Sequence, residues 1–123
     1  MKLTGTYVDG FLLPVPKARL EEYREIADIA AGIWMECGAL QYAECAADDL
    51  SSDMCRSFAE TAGVRDGETV IFAWAVFPDR AARDAANARI MQDERMKALC
   101  PKVQEIFECS RMSCGGFKTI VSR

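Results

Sequence analysis

Residues 69–77, Thr-Val-Ile-Phe-Ala-Trp-Ala-Val-Phe, form a strand-length run that is apolar in both of its alternating registers. Because side chains alternate between the two faces of a strand, this pattern predicts a strand that is buried on both faces. Long helical patterns occur at about 17–38 and 79–92, enough to cover one face of a small sheet but not both. We therefore expect a second copy of the chain to cover the other face.

Composition limits the possible classes of protein. The 123 residues are 50% hydrophobic, which predicts one globular domain over residues 1–123. The net charge of −4 would repel phosphate backbones, so nucleic acid is not an expected partner. Residues 1–5 carry no secretory signal pattern, and no apolar run approaches the length that spans a membrane. We expect a cytoplasmic protein that does not bind a membrane.

Six cysteines could form disulfides or a metal site. Without a secretory signal, reduced thiols are the better expectation. Cys109 and Cys114 are spaced closely enough for a zinc site, but an odd separation on a strand would point them to opposite faces. We expect buried cysteines, with Cys55 as the most exposed thiol, and neither a metal nor another cofactor.

The order of the predicted elements indicates the fold class. The pattern predicts strands at 7–13, 40–47, 69–77 and 109–121, helices at 17–38 and 79–92, a polar connector at 48–67 and a short helical turn from Asp93 that Pro101 limits. Pro14 and Pro16 should end the first strand, and Asp79 should cap the second helix. Strand, helix, strand, strand, helix, strand is the ferredoxin-like α+β arrangement, an antiparallel sheet with its first and third strands at the centre.

Several motifs in this chain resemble one family, the uncharacterised YbaA-like proteins (domain of unknown function 1428). The motifs are Tyr7-Val8-Asp9-Gly10-Phe11, Pro14-Val15-Pro16-Lys17, Trp34, residues 38–45, Asp48-Asp49, Phe72-Ala73-Trp74, a series from Arg80 to Met96, and Arg111-Met112 with residues 115–118. The resemblance covers nearly the whole chain and implies a dimeric α+β barrel. It implies no established reaction. The chain departs from the family pattern at Ile106-Phe107-Glu108, where many relatives have Pro-Phe-Asp.

Two carboxylates are the candidate catalytic residues. The chain has no histidine, so no side chain has an unperturbed pKa near neutrality. Asp9 on a central strand and Glu44 on its neighbour could act as acid or base if apolar surroundings raise their pKa values. The alternative is structural, because a strand carboxylate often pairs with an arginine across an interface.

A ligand pocket is the second hypothesis. Period-two spacing would let Tyr7, Phe11, Tyr42 and Trp74 line the barrel interior together with the two carboxylates. The alternative is that these aromatic residues are ordinary dimer core.

A group of arginines lies on the later helices. Arg80 and Asp84, Asp79 and Arg83, and Arg89 and Asp93 each stand four residues apart, which is typical of a solvated, self-neutralised helix surface. Arg83 and Asn87 share a helix face and are the candidates to bind a carboxylate or phosphate.

Three function classes remain open at this point. The preferred one is a homodimer that binds a small apolar or acidic molecule in the barrel. The second is a cofactor-independent enzyme, similar to monooxygenases or isomerases of related barrels, with Asp9 and Glu44 as acid and base. The third is a purely structural or interaction dimer.

Overall fold

The structure is a computed structural model, and it describes residues 5–123; the sequence expectation for residues 1–4 lies outside this range. The strands are β1 (Tyr7–Pro16), β2 (Gln41–Ala46), β3 (Glu68–Phe77) and β4 (Ser113–Lys118), and the helices are α1 (Leu20–Glu36), α2 (Phe58–Ala62), α3 (Arg80–Gln92) and α4 (Glu94–Ile106). All pairings are antiparallel, and the strand order is β2-β3-β1-β4. This is the predicted ferredoxin-like topology with β1 and β3 at the centre. Within the described residues, no helix is long and apolar enough to cross a membrane.

Strand β1 is longer than the sequence indicated. It pairs with β3 through Pro16, so the prediction that the Pro14-Val15-Pro16 segment ends the strand is wrong. The reason is that β4 pairs with β1 only as far as Leu12. Beyond that residue β1 is an edge strand, where a proline without an N–H group can be accommodated.

Three helices, α1, α3 and α4, cover one face of the sheet. Ile33 of α1 and Ile90 of α3 are buried with Phe77 of β3 in one apolar cluster, and Ile106 of α4 is buried with Ile71 of β3 in a second. All the buried core side chains of these two clusters on β3 come from its odd-numbered residues. The odd-numbered residues of β3 therefore point toward the helices.

Helix α4 continues past the predicted stop. The expected short turn ended near Pro101, but the helix runs to Ile106 with Pro101 inside it. A proline within a helix costs about 3 kcal/mol. Leu99 and Ile106 of the same helix are buried, and burial of such side chains stabilises by roughly 1.5–3 kcal/mol each. Tertiary packing therefore outweighs the local effect of the proline.

The opposite face of the sheet, which we call the open face, carries the even-numbered residues of β1 and β3. Among residues 5–123, the connector 47–67 contributes to its cover through the short helix α2, which the sequence did not predict. Phe58 of α2 contacts Phe72, with ring centroids 6.0 Å apart. Phe72 still exposes 46% of its surface, so the single chain leaves the middle of this face uncovered.

The remaining element ends follow their sequence signals with one exception. Asp79 caps α3 by accepting a hydrogen bond of 2.8 Å from the backbone N–H of Ala82. Gly38 follows α1 with a φ of +122°, a backbone conformation that favours glycine. Strand β4 spans only Ser113–Lys118, shorter than the predicted 109–121, because Cys109–Arg111 form a 3₁₀ turn.

Candidate functional site

The two candidate carboxylates point to the same face of the sheet. Asp9 of β1 lies opposite Ala75, and Glu44 of β2 lies opposite Ala73. Both partners are odd-numbered residues of β3, so Asp9 and Glu44 face the helices. Asp9 and Glu44 share a face, as period-two spacing predicted, but it is the helix side and not the face without helices, and they line two different cavities instead of one pocket.

Trp74 does not belong with these carboxylates. Its strand partners are Gly10 and Ala43, and its indole N–H donates to Oε1 of Gln41 over 3.3 Å. These residues lie on the open face. The prediction of one pocket that contains Trp74 together with Asp9, Glu44 and their neighbours is therefore wrong, because β3 separates its even and odd side chains by the thickness of the sheet.

The first helix-side site surrounds Asp9, and we call it the Asp9 cleft. Its volume is about 400 Å³, and its walls are mostly apolar. The residues that line it are Asp9, Phe11, Trp34, Arg83, Asn87, Ile90, Met91, Met96, Cys114 and Gly115. The predicted ligand residues Arg83 and Asn87 thus lie beside the predicted catalytic residue Asp9.

Arg83 contacts both Asp9 and Tyr7. Its Nη1 lies 3.6 Å from Oδ1 of Asp9, and its Nη2 donates to the phenol oxygen of Tyr7 over 3.0 Å. The guanidinium also stands over the Tyr7 ring, 4.7 Å from its centroid, in cation–π geometry. Arg83 is mostly buried, so the prediction of a solvated, self-neutralised arginine surface is wrong for this residue, although Arg80 and Asp84 do pair on the exposed side over 3.8 Å.

Gly116 makes room for this arrangement. A Cβ atom added at Gly116 would lie 2.5 Å from the Tyr7 phenol oxygen and 2.8 Å from Nη2 of Arg83. Cβ contacts in proteins are essentially never that short. The structure thus identifies Tyr7 and Arg83 as the groups that approach the backbone at Gly116.

The environment of Asp9 favours its neutral form. Burial raises the pKa of the Asp9 carboxyl above its ordinary value of 3.8, and the negative charge of Asp84 adds to the rise. The positive charge of Arg83 lowers the pKa but does not outweigh burial. A carboxyl with a raised pKa can hold a proton at higher pH than an exposed aspartate.

Two polar atoms in this region have no hydrogen-bond partner among residues 5–123. They are Oδ1 of Asn87 and Nε of Arg83, and both are buried. The Arg83 Nε does lie 3.2 Å from Oδ1 of Asp84, close enough for an ion pair, but its N–H is not directed at that oxygen. Buried polar groups are nearly always paired, so unpaired ones beside a cleft indicate room for a polar ligand group.

The second helix-side site contains Glu44, and we call it the Glu44 cavity. Its volume is about 190 Å³. Tyr23 of α1 donates its phenol hydrogen to Oε1 of Glu44, and Tyr42 donates to Oε2 over 2.7 Å. Apolar side chains complete the lining, among them Ile26, Ala73, Val103 and Met112. Within the described part of the chain, no arginine or lysine lies within ion-pair distance of Glu44.

Both tyrosines are held in their protonated state. Burial raises the pKa of Tyr23 and of Tyr42 well above the ordinary value of 10, and the negative charge of Glu44 raises them further. Two phenols that keep their protons are permanent donors to one carboxylate. Tyr23 was not among the residues predicted for the site, and the available signal was its polar hydroxyl on the otherwise apolar face of α1.

The open face carries a third concavity. It is a groove of about 560 Å³ lined almost wholly by apolar groups. Phe58, Phe72, Trp74 and Phe117 supply its aromatic surface. The groove is the exposed part of the doubly apolar β3 pattern.

The cysteines differ from expectation. Cys37 is buried, whereas Cys45, Cys55, Cys100, Cys109 and Cys114 are exposed, and all six thiols are free. The prediction of buried cysteines with one exposed exception is wrong, because these residues lie on edge strands, in turns and on outward helix faces. Among residues 5–123, no group of three or more histidine, cysteine, aspartate or glutamate side chains could hold a metal ion.

Comparison with known sequences identifies relatives of the whole chain. The family model "Protein of unknown function (DUF1428)" matches residues 6–108. The uncharacterized protein YbaA of Escherichia coli strain K12 is 38% identical over 115 residues, which cover 94% of this chain and 97% of YbaA. YbaA of Shigella flexneri gives the same values.

Comparison with solved structures supports the fold class. SnoaB, a cofactor-independent oxygenase from Streptomyces nogalater, matches in a mutant form with a TM-score of 0.61 and 14% identity over 94% of each chain. An uncharacterized NIPSNAP domain protein from Burkholderia xenovorans matches with a TM-score of 0.57 and 14% identity, over 92% of this chain and 93% of that protein. The predicted ferredoxin-like α+β class is confirmed, and at this identity the likeness extends to the fold alone.

Proposed function

This chain belongs to the DUF1428 family of proteins of unknown function, and we propose that it binds a small, mainly apolar molecule with one acidic group in the Asp9 cleft. The cleft has the size of an ordinary ligand site, in which apolar walls bury the body of a ligand and a few polar groups orient it. Arg83 and Asn87 are the polar groups that would bind the acidic end.

Two unpaired polar atoms beside the cleft are the observation that carries this proposal. A buried donor or acceptor without a partner costs about 1–3 kcal/mol of folding stability. Arg83 Nε and Asn87 Oδ1 are both buried without a hydrogen-bond partner in the described residues, and both side chains line the cleft. The Arg83 N–H can donate to the acidic group of a ligand. The Asn87 amide would bind the same group through its N–H after rotation, because its carbonyl oxygen can only accept.

The contacts of Arg83 leave it able to bind an acidic ligand. Two carboxylates, Asp9 and Asp84, lie within ion-pair distance of this one guanidinium. Among the described residues neither carboxylate accepts a hydrogen bond from Arg83, which donates to Tyr7 and leaves its Nε–H unpaired. A ligand carboxylate that accepts this hydrogen bond could therefore replace the Asp9 contact.

A thermal-shift titration with 2-naphthoate, with 2-naphthol as its neutral counterpart, tests the proposal. We expect 2-naphthoate to raise Tm and to bind more tightly than 2-naphthol. Arg83→Met keeps the aliphatic stem and should remove the response. Arg80→Met is the matched control, because Arg80 lies on the same helix but is exposed, and it should leave the response intact. Equal shifts in both variants would contradict a role for Arg83.

We also propose that two copies of the chain pair through the open face to form the barrel. The groove on this face is apolar, and Phe72, Trp74 and Phe117 are among the residues that line it. Burial of side chains of this size stabilises by roughly 1.5–3 kcal/mol each. Because each copy presents the same apolar surface, a twofold pair would bury both surfaces at once.

Light scattering on size-exclusion fractions tests the pairing. Phe72→Lys should give a monomer at micromolar concentration, since a charge would enter the centre of the apolar interface. Ile29→Lys is the matched control, because Ile29 is 53% exposed but lies on the helix side. A monomeric wild-type protein would exclude the pairing.

A cofactor-independent enzyme is the second candidate function. It is favoured by the raised pKa of Asp9 beside an apolar cleft, a combination that suits general acid-base chemistry. SnoaB, which has the same fold, is a cofactor-independent oxygenase, but this likeness is an analogy of fold. Asp9→Asn should abolish turnover of a bound substrate while the protein still binds it. Unchanged turnover in this variant would exclude Asp9 as the acid or base.

The proposed location is the cytoplasm. Six free thiols are typical of proteins kept in a reducing compartment. Cell fractionation with an antibody against the chain tests this, and recovery in the periplasmic or extracellular fraction would refute it.

A further inference from the structure

The Glu44 cavity contains a half-buried carboxylate that the proposed function does not use. Each carboxylate oxygen accepts one phenol hydrogen, from Tyr23 and from Tyr42. A carboxylate has about four lone-pair sites, so each oxygen can accept one more hydrogen bond. Among the other lining residues Trp34 carries a donor, its indole N–H, but no hydrogen bond of the described residues joins it to Glu44. The carboxylate is therefore set up to accept a hydrogen bond from something that enters the cavity.

The Glu44 cavity and the Asp9 cleft are neighbours. Phe11, Trp34 and Met96 line both of them. The rings of Phe11 and Trp34 meet edge to face, with centroids 6.2 Å apart. Met96 is unbranched and has several rotatable bonds, so it is the member of this shared wall that can move with little strain.

The distance between the two polar ends follows from the strand register. Ala75 of β3 pairs with Asp9 on one side and Tyr42 on the other, and Glu44 lies two residues further along β2. With about 4.8 Å between strands and about 3.4 Å per residue, the Cα atoms of Asp9 and Glu44 lie roughly 12 Å apart. Because both side chains point to the same face of the sheet, their carboxyl groups are separated by a comparable distance, which one two-ring aromatic molecule could span.

We propose that the two sites form one binding site for an aromatic acid with a hydroxyl group at the end opposite its carboxylate. This inference rests on the proposed function and extends it. The carboxylate binds Arg83 and Asn87, the rings pass along Phe11 and Trp34, and the hydroxyl donates to Glu44. The two tyrosines hold the Glu44 carboxylate in place, which makes them positioning residues.

Three related probes test the inference on the chain of 123 residues by isothermal titration calorimetry. They are 2-naphthoate with the acid alone, 2-naphthol with the hydroxyl alone, and 6-hydroxy-2-naphthoate with both groups at opposite ends of one rigid body. We expect 6-hydroxy-2-naphthoate to bind about 10-fold more tightly than 2-naphthoate, the gain typical of a hydrogen bond to a charged acceptor.

The variant Glu44→Gln tests whether Glu44 accepts the hydrogen bond from the ligand hydroxyl. The variant should weaken binding of 6-hydroxy-2-naphthoate about 10-fold and leave binding of 2-naphthoate unchanged, and the unchanged binding also reports that the variant is folded. Glu25→Gln is the control, because Glu25 is an exposed glutamate of α1 outside both sites.

Failure of this inference differs from failure of the proposed function. Equal affinity for 2-naphthoate and 6-hydroxy-2-naphthoate would show that the two cavities do not form one site. The same conclusion would follow if the hydroxyl group still tightened binding in Glu44→Gln. Either result would leave the proposal of an acid-binding cleft in place. If none of the three probes binds, the acid-binding proposal itself fails, and the two-ended site with it.

Discussion

Replacing Asn87 by leucine should stabilise the fold and remove ligand binding at the same time. The change keeps approximately the shape of the side chain and removes the buried carbonyl oxygen that has no partner among the described residues. Removal of such an unpaired buried acceptor should raise the free energy of unfolding by about 1–3 kcal/mol. Leucine is also a better helix former than asparagine, which adds a few tenths of a kcal/mol.

The magnitude can be expressed as a melting temperature. For a domain of 123 residues, 1 kcal/mol corresponds to about 4 °C in Tm. We therefore expect Asn87→Leu to raise Tm by about 4–12 °C. The measurement is thermal unfolding followed by circular dichroism at one fixed protein concentration, because a dimer makes Tm depend on concentration.

The exposed residue Gln92 provides the control for this prediction. Gln92→Leu changes an exposed polar residue at the end of the same helix and should shift Tm by less than about 2 °C, since surface substitutions are usually within 0.5 kcal/mol. The leucine variant at 87 should also lose the response to 2-naphthoate. A fall in Tm would mean that the Asn87 amide is satisfied in the folded protein, and the main support for a ligand in the cleft would be lost.

Three further predictions concern the same fold. Gly116→Ala should displace the Tyr7 phenol and weaken 2-naphthoate binding about 10-fold, whereas Gly115→Ala, whose added Cβ would meet only an ordinary contact at 3.9 Å, should not. Two hydrogen bonds from Arg111 lower the pKa of Glu68 to about 2. The contribution of Glu68 to the free energy of unfolding is therefore complete above pH 4.5 and is lost as the pH falls toward 2. The free energy of unfolding of Glu68→Gln, measured with urea, should therefore approach the wild-type value as the pH falls toward 2. A difference between variant and wild type that does not change with pH would contradict the ion pair. The pKa of Asp9 is raised in the folded protein, so the contribution of Asp9 to the free energy of unfolding is favourable below pH 3.8. This contribution is lost as the pH rises through the pKa of Asp9 in the folded protein. Relative to wild type, Asp9→Asn should accordingly become more stable as the pH rises above 3.8, and the opposite slope would refute the burial argument.

Much of the fold could be predicted because the deciding signals are local. Alternation along 69–77, the cap at Asp79 and the glycine at 38 are each read from a few neighbouring residues. The errors occurred where tertiary contacts outweigh a local signal. Pro101 lies inside α4 because buried neighbours compensate for it, and β1 continues through Pro16 because its far end is an edge.

The candidate site was predictable only in part. Asp9 and Glu44 were placed on one face because the two-residue period of a strand determines the face on which a side chain lies, although they line two separate cavities. Trp74 was misplaced because a strand that is apolar on both faces gives no sign of which face meets the helices. The contact between Arg83 and Asp9 joins residues 74 positions apart in the chain, and nothing in the spacing of charges on one helix could indicate it.

The sequence by itself determined the order of elements, the antiparallel sheet with β1 and β3 at its centre, and the excess of apolar strand surface over helix. These depend on periodicity and composition, which are properties of neighbouring residues. Only the tertiary structure decided which face the helices cover, that Gly116 leaves space for Tyr7 and Arg83, and that two tyrosines converge on Glu44. Those arrangements depend on which distant segments meet, because long-range packing, and not local preference, determines the environment of each polar group.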